Sequence, residues 1–258
     1  VGGSTIAASL YEAGSGDGSI QPIANSNNAS GTCSTIGGGR DNVASGNDST
    51  IGGGDDHDAI GNCSTVGGGF CNQACEDFST VAGGHRNRAA SEYSTVVGGC
   101  RNFASSSFSI VGGGYLNYAQ ACFGGTFSGC YNVNKAVQGF IGGGNSNCIF
   151  AGASTSTIAG GNDHTIHDCS QLSFIGGGNG NEICCAQVST IGGGTANDIF
   201  TGSCSTIGGG SSNKIGIAST TTVGSNTIGG GIQNCMFSAS MRSVIGGGAT
   251  NRMCSAYG

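Results

Sequence analysis

The sequence has no Trp, a single proline (Pro22) and only 9% charged residues. The near absence of proline, together with glycine that does not fall at every third position, excludes collagen. So little charge, set beside 36% hydrophobic residues, argues against the disorder that 54 glycines would otherwise suggest. Eight Lys and Arg are scattered singly in a chain of net charge -6, so no basic stripe exists to neutralise phosphates and nucleic acid is not an expected partner. No apolar run approaches the roughly 20 residues of a spanning helix, and membrane insertion is not expected. There is no initiating Met and no signal-like apolar start, so Val1 reads as a processed end. The 14 cysteines form no CxxC pair and have no histidine partners at zinc-site spacing. Disulfides are the better expectation, and they imply an oxidising, extracellular setting.

What is there is a repeat. Ser34-Thr35-Ile36-Gly37-Gly38-Gly39 returns as Ser49-Thr50-Ile51-Gly52-Gly53-Gly54, Ser64-Thr65-Val66-Gly67-Gly68-Gly69 and Ser205-Thr206-Ile207-Gly208-Gly209-Gly210. The aliphatic marker falls every 15 residues at Ile36, Ile51, Val66, Val81, Val96, Val111, Thr126 and Ile141. It continues at Ile158, Ile175, Ile191, Ile207, Ile228 and Ile245, with spacings of 17, 17, 16, 16, 21 and 17. Extended backwards, the register meets Gln21 and Ile6. A glycine triplet in each unit costs a helix about 1 kcal/mol per Gly, whereas Ser-Thr-Ile suits a short strand. Eight residues after each marker a second column reads Ala44, Ala59, Ala74, Ala89, Ala104 and Ala119, then Asn134, then Ile149 through Ile215, Met236 and Met253. Two apolar columns half a repeat apart predict an all-β parallel β-solenoid, or β-roll, of about sixteen coils of 15–17 residues. One solenoid domain over 1–258 is expected: degenerate repeats in 1–35, regular ones in 36–157 and longer ones in 158–258. The longer coils enclose more interior, which the change from Ala to Ile and Met fills.

Asn42, Asn72, Asn87, Asn102, Asn117, Asn132 and Asn147 stand six residues after their markers, with His57 and His164 as exceptions to the column. Asn tolerates left-handed backbone, so a stacked turn ladder is expected. Glycine lets another backbone approach, and Gly37-Gly38-Gly39, repeated along the chain, reads as a flat surface for a neighbouring chain. Phe78, Tyr93, Phe108 and Phe123 precede four consecutive markers by three residues. Strand alternation would place this aromatic stripe on the outward face with the Thr column, as a chain–chain interface or a binding surface. Cys169 with Cys185, and to within two residues Cys235 with Cys254, lie about one coil apart and are the best intrachain bridge candidates, with interchain bridges as the alternative. Cys184 and Cys185 should point to opposite faces if extended. Asp55-Asp56-His57-Asp58 and Asn162-Asp163-His164 offer cation ligands but occur in single units, so solvated turns are the simpler reading. No metal site, cofactor site or catalytic constellation stands out, so catalysis is not expected.

Ser34-Thr35-Ile36-Gly37 followed by Ala44-Ser45-Gly46 resembles the head repeats of trimeric autotransporter adhesins (YadA-like), in which a Ser-x-Ala/Val-Ile-Gly core and an Ala-x-Gly recur about every fourteen residues. The resemblance runs over almost the whole chain. It implies a left-handed parallel β-roll, assembly as a trimer and adhesion at a cell surface. The 15-residue period, the full triplets and the cysteines depart from that pattern, and no coiled-coil stalk is present.

The expected function is a non-catalytic extracellular structural protein that builds a fibre or surface appendage by side-by-side or end-to-end association with copies of itself, reinforced by disulfides. Both ends fall in repeat-like sequence without a polar cap, which invites stacking. The alternative is a trimeric adhesin head or a viral or phage receptor-binding fibre with a cell-surface or glycan receptor. Ice binding is a third reading, from the column Thr35, Thr50, Thr65, Thr80 and Thr95, but the neighbouring column of Cys33, Asp48, Cys63, Phe78 and Tyr93 breaks the flat surface it would need.

Overall fold

The computed structural model describes residues 5–6, 27–217, 224–237 and 242–254. Among them every regular element is a short strand, and the protein is an all-β parallel β-solenoid of about 14 turns. It divides into two compact units, Val1–Leu116 and Asn117–Gly258. The boundary falls earlier than the change in repeat length at Ile158.

In the first unit one parallel sheet runs through Thr35–Ile36, Thr50–Ile51, Thr65–Val66, Thr80–Val81, Thr95–Val96 and Ile110–Val111. The second runs through Asn28–Ala29, Val43–Ala44, Asp58–Ala59, Gln73–Ala74, Arg88–Ala89 and Phe103–Ala104. Each residue pairs with the one 15 places on, so the sequence period is the hydrogen-bond register. Thr5–Ile6 pairs directly with Thr35–Ile36. The coil expected at Gln21 therefore adds no strand between them, which lowers the count from about sixteen, and Gln21 itself lies outside the described residues.

The strands are two residues long because only Thr and the marker are extended. A third line of contacts, single bridges rather than strands, links Arg40, Asp55, Phe70, His85, Cys100 and Tyr115 in order. The coil thus has three backbone ladders, where the sequence pattern showed two.

The second unit keeps this plan with longer turns. Its sheets include Phe140–Ile141, Thr157–Ile158, Phe174–Ile175, Thr190–Ile191 and Thr206–Ile207, and opposite them Cys148–Ile149, Thr165–Ile166, Glu182–Ile183 and Asp198–Ile199. Lys214–Ile217 carries a register shift between Ile215 and Ile217, at the start of the longest repeat.

Core packing follows the two columns. In the first unit Ile36, Ile51 and Val66 face Ala44, Ala59 and Ala74 at zero exposure. In the second, Ile158, Ile175 and Ile191 face Ile166, Ile183 and Ile199, equally buried. Three extra carbons per coil at about 0.8 kcal/mol each make the second core the stronger by roughly 2 kcal/mol per coil.

Candidate interaction surfaces

Two turns complete each coil, and each turn passes through one residue in the left-handed region. Three residues before the marker these are Cys33, Asp48, Cys63, Phe78, Tyr93 and Phe108, with φ of 54–59°. Five residues after it they include Asp41, Asp56, Cys71, Arg86 and Arg101, with φ of 52–59°. Such a conformation costs a residue with a Cβ roughly 1–2 kcal/mol, and glycine would avoid the cost. This chain uses glycine freely, yet it places aromatic, cationic and thiol side chains at these points. The turns are built to display side chains.

The aromatic column is the clearest case. Phe78 stacks on Tyr93 at 4.8 Å between ring centroids, and Tyr93 on Phe108 at 4.8 Å, with ring planes within 4° of parallel. That separation is the coil rise itself, about 4.8 Å. The three rings are 45%, 41% and 44% exposed, so the stack is a continuous apolar stripe open to solvent. Phe123, in the second unit, is 59% exposed. The stripe does not share the strand face with the Thr column as alternation predicted. Its residues are left-handed rather than extended, so alternation stops at Thr80 and the rings line the turn edge.

The glycine triplet divides into two kinds of position. Gly39 has φ of 88°, and a Cβ there would overlap the Gly54 carbonyl of the next coil. Gly37 has the same problem with the Gly52 carbonyl. One chain alone therefore explains the outer glycines, which corrects the expectation that all three await a neighbour. The middle position is mixed: Gly38 and Gly53 have positive φ of 153° and 149°, whereas a Cβ on Gly83 would meet nothing closer than 3.7 Å and one on Gly98 nothing within 4 Å.

The asparagines form a buried ladder beside these glycines. Asn72 Nδ2 donates to Gly68 O and Gly84 O at 2.8 Å each, and Asn72 Oδ1 accepts the Asn87 amide at 2.9 Å. Asn132 and Asn147 repeat the pattern in the second unit. The left-handed residue is the one before the Asn, not the Asn itself. The Asn is selected instead for an amide that donates and accepts at once.

His57 and His164 replace Asn in this ladder and are fully buried, so they are not solvated turn residues. Nδ1 of His57 accepts the Asn72 amide at 3.0 Å, and Nδ1 of His164 accepts the Asn181 amide at 3.0 Å. Accepting there requires the neutral ring, and burial lowers both pKa values from the ordinary 6.5. His57 Nε2 lies towards the Gly69 carbonyl but outside good hydrogen-bond geometry. Nearby, Asp55 is held below the usual carboxylate range, first by its hydrogen bond from Arg40 at 2.6 Å. Among the described residues no cluster of three or more His, Cys, Asp or Glu gathers as a metal-ligand set.

No protein-family model and no curated protein matches this chain.

All fourteen cysteines are unbridged thiols, including Cys169, Cys185, Cys235 and Cys254. Cys184 and Cys185 do not point to opposite faces. A φ of 51° at Cys185 breaks the extended geometry, and the two sulfurs stand 3.9 Å apart. Burial, then the hydrogen bond to Cys185, pushes the Cys184 thiol up to about 11. In the same unit Lys214 pairs with the largely buried Asp198 at 2.7 Å, and His167 meets Glu182 at 2.7 Å. Burial raises the Asp198 pKa while Lys214 opposes the rise. A shallow groove lined by Ser212, Lys214, Gln233, Cys235, Phe237 and Arg252 lies beside this pair, and no sequence motif announced it.

Proposed function

We propose that the protein is a non-catalytic structural building block of an extracellular fibre or surface appendage, assembled from copies of itself side by side and reinforced by disulfides between its exposed thiols. The observation that carries this reading is the display of side chains at left-handed turn positions, above all the exposed stack of Phe78, Tyr93 and Phe108. A lone solenoid would be relieved of strain by glycine at each of these points. Retaining bulky apolar groups there makes sense when another surface covers them, since an exposed contiguous apolar stripe marks an interaction site. Cys33 and Cys63 stand exposed in the same column, in position to join neighbouring copies once oxidised.

The same stack supports a second reading, a trimeric adhesin head or receptor-binding fibre whose aromatic edge takes a glycan. The β-solenoid is compatible with a YadA-like repeat without identifying one. Low-dose electron imaging of purified chain under oxidising, non-denaturing conditions separates the two readings. Extended multi-copy assemblies are expected of the building block. Discrete trimers that bind immobilised glycans would favour the adhesin, and isolated monomers with free thiols at every concentration would overturn the proposal.

A further inference from the structure

The first unit carries two differently charged edges half a coil apart. On one, Asp77 precedes Phe78 and Glu92 precedes Tyr93, so carboxylates flank the aromatic stack. On the other, His85 precedes Arg86 and Cys100 precedes Arg101. Arg86 lies eight residues after Phe78 and seven before Tyr93, so the two turns bracket opposite sides of the strands Thr80–Val81 and Arg88–Ala89. Phe78, Tyr93, Arg86 and Arg101 are all left-handed and exposed, and all four project from turns.

The ion pairs within the chain do not use these groups. Among the described residues the ion pairs involve Arg40, His167 and Lys214, leaving Arg86 and Arg101 without a carboxylate and Asp77 and Glu92 without a cation. Asp77 accepts the Asn62 amide at 2.8 Å, and Arg101 reaches the Tyr115 hydroxyl at 3.4 Å, so both side chains are oriented without being neutralised.

We propose that these edges dock on each other between copies: the acidic aromatic edge of one copy takes the arginine edge of the next. This names the contact for the side-by-side assembly proposed above and rests on that reading. The fit comes from the repeat. Asp77 to Glu92 and Arg86 to Arg101 are each one coil, 15 residues, so the two charge rows have one pitch. A copy displaced sideways without rotation sets Asp77 against Arg86 and Glu92 against Arg101, with the apolar stems of the arginines lying along the exposed edges of the stacked Phe78 and Tyr93 rings. Because the two edges differ, the contact is heterologous and leaves a free edge at each end, so the array is open. The same register sets exposed Asp48 against exposed Asp56, a like-charge pair that opposes the contact.

Complementation by charge reversal tests the contact in the full chain, read by sedimentation velocity with circular dichroism to confirm folding. R86E/R101E makes both edges acidic, and D77K/E92K makes both basic. Each variant alone is expected to lose self-association by about tenfold or more, and an equimolar mixture to recover it, because every edge then finds an opposite one. Wild-type association should weaken at about 1 M salt, where the screening length falls to about 3 Å. D48N should tighten it. If D77K disturbs the turn through Asn62, E92K with R101E carries the same test. Assembly that ignores both reversals, or folded variants that stay apart when mixed, overturns this contact while leaving the building-block reading in place. A wild-type chain that is monomeric throughout overturns both.

Discussion

The two units solve one packing problem with different turn lengths, and the serine two residues before each marker shows the consequence. In the first unit Ser34, Ser49, Ser64 and Ser79 are fully buried with no partner for the hydroxyl. In the second, Ser156 donates to Ser170 O at 2.9 Å, Ser173 to Ala186 O at 2.9 Å and Ser189 to Gly202 O at 3.0 Å. Each hydroxyl there also accepts the amide of the next serine in the column. The acceptors belong to the lengthened turns, which also carry the buried Ala153 and Ala186. One or two added residues per coil thus widen the core for Ile and complete a second polar ladder. In the short coils Ser94 and Ser109 bond only within their own turns, to Ser91 and Ser106, and no ladder joins the column; the four orphaned hydroxyls in a thin core mark the first unit as the weaker.

The largest expected effect lies in the wide core. Ile183→Ala should cost about 2–5 kcal/mol and open neighbouring coils to hydrogen exchange, whereas Ala74→Ile should cost about 1–3 kcal/mol by overpacking. An Ala74→Ile variant more stable than the wild type would break the contrast.

Glycine tests what the units share. Gly84 and Gly194, with φ of 94° and 93°, both place a would-be Cβ against the next coil's backbone. Alanine at either should cost on the order of 1–3 kcal/mol from backbone strain alone, and equally in both units. At the middle positions Gly83 and Gly193 the nearest atom is 3.7 Å away, and alanine should change stability by less than about 0.5 kcal/mol.

Serine gives the sharpest contrast with a moderate effect. Ser173→Ala removes a donor and an acceptor and should cost about 1–3 kcal/mol, while Ser79→Ala removes an orphaned hydroxyl and should be neutral or mildly stabilising. Denaturant melts of the two variants check this directly.

The smallest effect is expected from pH. Each unit has one buried ladder histidine whose folded pKa lies below the ordinary 6.5. As pH falls below that value the unfolded chain takes up the proton first, so stability is full above about 6.5 and declines below it. Protection factors of the Asn72 and Asn181 amides, corrected for the intrinsic slowing of exchange, should fall on acidification, and H57N should remove the response in its own coil.

Much of this was legible in the sequence. Ile36, Ile51 and Val66 and the column from Ala44 fixed period, register and core, because burial repeats with the backbone. The left-handed turns were not legible, because their usual signal is Gly, Asn or Asp, and Asp41, Asp48 and Asp56 share these columns with Phe, Tyr, Arg and Cys. The Asn column misdirected for the same reason: Asn72 is chosen for its ladder amide rather than for its φ. The aromatic spacing revealed the stack of Phe78, Tyr93 and Phe108 but not its direction, since alternation was carried past the end of a two-residue strand. The serine ladder needed the paths of the turns, which residue types alone do not give.

Glycine at the displayed column offers the most direct test of the central claim, that these left-handed side chains are kept for contact with another copy. F78G/Y93G/F108G relieves three strained φ angles while removing the stripe. Sedimentation velocity and thermal melting of this variant beside the wild type should show a fold retained to within about 1 kcal/mol per site and self-association lost. A folded variant that still assembles like the wild type would contradict the account.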